Sequence, residues 1–187
     1  MFKKHVKKLS FFSIILCHLG FLAAILFENQ NNIFVSAFII LSLILLFVTY
    51  KKTPLNSVDH SFEHVLTIAF VFFGAIITYA LSNSFGVSRV LSASLVGLIA
   101  SFIPDLFKRS TFAQGMPTAV YCGAFVGMTN ISVSTDYIII TIASATAGLL
   151  LVGTKDTFHG VGGKLGTLAF AGVVFAFLIT SVISQWV

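Results

Sequence analysis

Residues 116–136 read MPTAVYCGAFVGMTNISVSTD. The stretch begins as an apolar helix and turns polar at Thr129. Pro117 suits the first turn of a helix, where its missing N–H costs nothing. From there, residues 118–128 number eleven, or about 16 Å of helix at about 1.5 Å per residue. That is roughly half of the ~30 Å hydrocarbon core of a bilayer. Beyond it, Thr129, Asn130, Ser132 and Ser134 flank the β-branched Ile131 and Val133, and alternation of this kind suggests extended chain. Extended backbone at membrane depth is tolerated only where protein buries it or water reaches it. Half-helices with polar continuations are how many transporters build sites at the bilayer midplane. The expectation is therefore a short or discontinuous helix lining a substrate or ion site, with Tyr121, Thr129, Asn130, Ser132 and Ser134 as its polar candidates. The alternative is a full, somewhat polar helix whose outer turn lies among the headgroups.

The surroundings of this stretch belong to a membrane protein. The chain is 57% hydrophobic and 9% charged, with a mean hydropathy of +1.02. Soluble domains carry about 25% charged residues, so a water-facing surface could not be covered. The net charge of +5 does not point to nucleic acid, because the basic residues sit in short clusters between apolar runs, as orientation signals do. Cys17 and Cys122 both lie inside apolar segments, which suggests neither a disulfide framework nor a cysteine metal site. The N-terminal MFKKHVKK leads into an apolar run of nineteen residues, long for a signal peptide and right for a retained first span.

Six runs are long enough to cross: 9–27, 33–50, 64–82, 87–103, 137–153 and 165–183, with 118–134 as a seventh. They are continuous rather than alternating, hence helices and not barrel strands. With the N-terminus cytoplasmic and seven crossings, ten of the eleven Lys and Arg residues fall inside and only Arg89 outside. If 118–134 dipped in and returned, Lys155 and Lys164 would move outside. The positive-inside bias favours a crossing. The expected fold is an all-α polytopic transmembrane bundle of about seven helices, N-terminus cytoplasmic, in a bacterial-type cytoplasmic membrane.

Twelve of the fourteen glycines lie at or after Gly86. Ala93/Gly97/Ser101, Gly123/Gly127, Ala143/Ala147, Ser144/Gly148 and Gly172/Ala176 repeat at four-residue spacing, which lets helix backbones approach closely in lipid. The chain thus divides into a Phe-, Leu- and Ile-rich hairpin (9–50), expected at the periphery, and a small-residue-rich packed bundle (64–187). Such stripes serve packing first; a site surrounded by the later helices is the functional alternative.

No Asp, Glu, Lys or Arg falls at mid-depth in any of these runs, where proton relays and ion-coupled carriers usually place one. His18 is the one ionisable group near the middle. It reads as a neutral histidine hydrogen-bonded to a neighbour, with a haem or proton role as the sharper alternative. Ahead of the third run, His60-Ser-Phe-Glu63-His64 matches the pattern H-x-x-E-H. With His159 it makes a candidate divalent-metal site at the cytoplasmic face, although interfacial residues at a helix mouth account for the same letters. Gly162, Gly163 and Lys164 precede the last helix as a glycine-rich turn able to hold an anion or lipid headgroup. A Walker motif is excluded, because Phe158 stands where its first glycine belongs and Leu165 replaces Ser or Thr. Three functions follow. The first is a small transporter or channel, or the membrane subunit of one, with its site among helices 4–7. The second is a scaffold or partner-binding subunit, as a homo-oligomer or in a membrane complex, and the third is a membrane metalloenzyme. An enzyme is the less favoured class.

Overall fold

The computed structural model describes residues 2–52, 66–107, 111–130, 137–154 and 163–184. The described residues form seven α-helices: α1 (Phe2–Glu28), α2 (Ile33–Lys52), α3 (Leu66–Asn83), α4 (Arg89–Leu106), α5 (Thr111–Gly127), α6 (Tyr137–Gly153) and α7 (Lys164–Ser184). The protein is an all-α, multi-span helical bundle. Four stretches are long and apolar enough to cross a membrane, Leu9–Glu28, Leu66–Asn83, Arg89–Leu106 and Lys164–Ile183, and Ile33–Val48 and Tyr137–Gly153 are shorter apolar helices. Large apolar side chains face outward along them, Phe34 and Phe38 of α2 at 85% and 70% exposure. In water such a surface would drive aggregation; against acyl chains it is solvated.

Local chemistry explains the turns. Asn32 caps α2, its side-chain oxygen accepting from the Val35 N–H at 3.3 Å, and the Asn29 amide donates to the Ile25 carbonyl at the end of α1. The Asn32 oxygen satisfies an N–H that the start of a helix leaves without an intrahelical partner. Between α3 and α4, Gly86 takes φ +68°, a left-handed conformation that costs glycine little. The reversal lets the Val87 N–H reach the Leu81 carbonyl. Ser88 then caps α4 by accepting from the Leu91 N–H.

The core is built by close backbone approach. A Cβ on Gly74 would overlap the Val120 backbone, one on Gly127 would meet Thr78, and one on Gly172 would meet Ala143 and Ala147. These contacts set direction. Gly74 beside Val120 and Thr78 beside Gly127 make α3 and α5 parallel. The Ala143/Ala147 approach to Gly172, with Lys164 beside Thr154, makes α6 and α7 antiparallel. α4 runs against α5, since Tyr121 packs on Gly97 while Arg89 meets Asn130. The α3 C-terminus, the α4 N-terminus, the α5 C-terminus and the α6 N-terminus therefore share one end of the bundle.

The structure corrects the expected length of the fifth helix. Pro117 is not at its first turn; α5 begins six residues earlier and carries the proline inside. Its 17 residues span about 25 Å at about 1.5 Å each, so α5 is no half-helix. A proline disfavours helix in the residue before it and removes a donor, which is why the sequence suggested a start there. Packing offsets that cost: Ala113 is buried and Met116 packs on the cluster that Ala93, Val96 and Ala100 of α4 form with Val120 and Ala124 of α5. The expected end of the helix is close: α5 stops at Gly127, and Thr129 and Asn130 are not helical.

Candidate functional site

The end of α5 is where polar groups from four helices collect. The Arg89 guanidinium donates through Nη2 to the Asn130 side-chain carbonyl at 2.7 Å, clasping the first residue of α4 to the segment that follows α5. Thr129 donates its hydroxyl to the Val126 carbonyl at 2.6 Å, and its N–H reaches the same oxygen at 3.1 Å. Thr129 thus satisfies a carbonyl of the last turn that the helix itself cannot. Nearby, the Tyr137 hydroxyl lies 3.4 Å from Ser84 Oγ, and its ring meets Tyr79 edge-on at 5.1 Å.

One turn deeper, Thr78 and Ser92 are fully buried, and neither Thr78 Oγ1 nor Ser92 Oγ has a hydrogen-bond partner among the described residues. Their levels follow from the contacts above. Thr78 sits against Gly127, a Cβ on which would come within 2.7 Å of its own Cβ. On the antiparallel α4–α5 pair, Gly97 lies beside Tyr121 and Arg89 beside Asn130, so Ser92 falls level with residues 126–127. Both hydroxyls therefore occupy one layer of the α3–α4–α5 wedge. A buried polar group left unpaired costs about 1–3 kcal/mol, and in native structures each such group calls for an explanation.

The structure distributes the expected polar candidates unevenly. Thr129 and Asn130 lie together at the α5 end. Tyr121 does not join them: it is nine residues back, about 13 Å along the helix, with its ring packed over Gly97 and edge-on to Phe125 at 5.3 Å. Ser132 and Ser134 lie outside the described residues, as do His60, Glu63, His64, His159 and Gly162. Among the described residues no group of three or more His, Cys, Asp or Glu could hold a metal ion. Gly163 has φ +83°, and Lys164 donates to the Thr154 carbonyl at 2.8 Å, closing the end of α6 onto the start of α7.

Comparison with protein-family models, curated proteins and solved structures finds no match.

A separate apolar groove of about 490 Å3 opens between α1, α2 and α7, lined by His18, Phe21, Leu22, Ser42, Leu45 and Phe170 among others. His18 Nδ1 lies 3.1 Å from the Ile14 carbonyl. A carbonyl only accepts, so Nδ1 carries the proton there, as expected for a histidine bonded within its own helix. The ring stacks obliquely on Phe170 at 5.7 Å.

Thr78, Ser92 and Arg89 were not among the sequence candidates. Thr78 is the one threonine in the apolar run FVFFGAIITYAL of α3, and Ser92 follows the capping Ser88 by one turn. Arg89 carried a signal of its own, as the single Lys or Arg that the expected topology set apart from the others.

Proposed function

We propose that the protein is a small transporter or channel, or the membrane subunit of one, that receives its solute in the α3–α4–α5 wedge at the end where α5 stops. The observation that carries this reading is the pair of buried, unpartnered hydroxyls, Thr78 and Ser92, level with the last turn of α5. A fold that keeps two such groups out of water and away from partners loses stability. A solute that hydrogen-bonds to them recovers it. Asn130, Thr129 and the Arg89 clasp then form the entrance. The chain adopts the orientation favoured by its lysines, with the N-terminus and the Lys51–Lys52 pair cytoplasmic and Arg89 outside, across seven spans of a bacterial-type inner membrane. The α1–α2 hairpin flanks this unit. Reconstitution into proteoliposomes with a panel of solutes tests the proposal: flux above that of protein-free vesicles, lowered by Asn130→Ala at the entrance, supports it. Failure of every solute to enter sinks it.

A scaffold reading has one observation in its favour. The groove beside His18 opens sideways on the α1–α2–α7 flank, away from the wedge, as a surface for a neighbouring membrane helix would. It predicts that the purified protein migrates with a stoichiometric membrane partner and transports nothing alone.

A further inference from the structure

The Thr78–Ser92 layer has a distinctive electrostatic setting. Ser92 stands in the first turn of α4, three residues after Arg89 and four after the cap Ser88, where the helix macrodipole is positive. On the other side α5 ends at Gly127, where the macrodipole is negative. The two hydroxyls thus lie between helix ends of opposite sign, in a dipolar field with the Arg89 guanidinium at its rim.

An ion does not suit such a place. A bare cation would lose its hydration against two neutral hydroxyls. The described residues at this level include no carboxylate to neutralise it: the described acids are Glu28, at the end of α1, and Asp105, at the far end of α4. An anion would face the carbonyl end of α5. It would also lose its hydration against two neutral hydroxyls, and isolated charge in a low-dielectric interior is far more costly than a neutral dipole. Arg89 already directs Nη2 to the neutral Asn130 carbonyl, and it stands at the half-exposed rim, where water and salt screen it.

The hydroxyls themselves define the complement. Each is one donor and two acceptor lone pairs, so together they ask for a partner that both donates and accepts. Space is limited, since a Cβ on Gly127 would come within 2.7 Å of Thr78 Cβ. Resting on the transport reading above, we infer that the wedge takes a small uncharged solute bearing both donors and acceptors, of the class of urea, simple primary amides and short polyols.

The test uses the full chain in proteoliposomes. Light-scattering swelling assays with urea, acetamide and glycerol are run beside flux assays for sodium, potassium and chloride. Thr78→Val and Ser92→Ala keep shape while deleting the hydroxyls, and Thr78→Ser retains one. The expected result is permeation by at least one of the neutral probes, reduced about tenfold by each deletion in keeping with one lost hydrogen bond. Thr78→Ser should stay near the parent protein, which separates loss of the hydroxyl from loss of the fold. Hydroxyl-dependent flux of an ion with none of the neutral probes overturns this inference while leaving the transport reading in place. No flux of any probe, with Thr78→Val and Ser92→Ala raising the unfolding temperature as removal of orphaned hydroxyls would, overturns both.

Discussion

Gly123 of α5 lies directly against the Val71 carbonyl of α3: a Cβ there would overlap the carbonyl oxygen and come within 2.8 Å of its carbon. Gly74 of α3 meets the Val120 backbone in the same way, so two glycines make the two sides of one crossing. In lipid, where apolar burial does not drive helices together, this contact is a main source of association. Gly123→Ala and Gly74→Ala should each destabilise the purified protein by about 1–3 kcal/mol, the usual cost of overpacking. The double variant should lose less than the sum, because the first methyl already separates the helices. Gly20→Ala, with nothing within 4 Å of the added carbon, should leave the unfolding temperature unchanged or slightly raised. Thermal unfolding in detergent reads all four.

The Arg89–Asn130 clasp joins residues 41 apart in sequence at an exposed rim. A charge-assisted hydrogen bond in such a position contributes about 1 kcal/mol. A double-mutant cycle with Arg89→Ala and Asn130→Ala should return a coupling of that order. Additive single effects would show that the pair does not interact in solution.

Lys164 donates to the Thr154 carbonyl at 2.8 Å, from the start of α7 to the end of α6. Its charge faces the negative end of the α6 macrodipole. Lys164→Met should cost about 1 kcal/mol and speed amide exchange in the last turn of α6. Lys164→Arg should restore most of the protection, because the charge returns.

Phe170 of α7 meets Phe21 of α1 edge-on at 4.9 Å and the His18 ring at 5.7 Å. Aromatic contacts of this kind contribute about 0.5–1.5 kcal/mol each beyond their area. Phe170→Ala should therefore loosen α1 from α7, seen as faster hydrogen exchange in α1, while α3–α5 stay protected. Equal loss of protection in both regions would mean that α1 is integral to the core and not flanking it.

Much of the architecture was legible in the residues. Runs of Phe, Leu and Ile with almost no charge lead to lipid-facing helices whichever tertiary arrangement they adopt, and α6 starts and stops where its sequence suggested, at Tyr137 and Gly153. The end of α5 was legible as well, because Thr129 and Asn130 break an apolar run. Its beginning was not. Pro117 reads locally as a helix start, and only the burial of Ala113 and the packing of Met116 on the shared α4–α5 cluster reveal a helix that continues back to Thr111. Tyr121 shows the same limit. Its hydroxyl made it a polar candidate beside Asn130, yet Gly97 on another helix leaves the gap that its ring fills.

The sequence alone determined the solvent this chain lives in, since composition and run length decide whether a surface can face water, with no reference to neighbours. It also determined where the glycines would allow close contact. Which helices meet there was decided only in three dimensions, because a small residue permits approach from any partner and names none. The wedge is the clearest case. Thr78 and Ser92 sit on different helices and form no motif, and they share a layer only because α3 lies parallel to α5 and α4 runs against both. The hydrogen bonds they lack are a property of that packing.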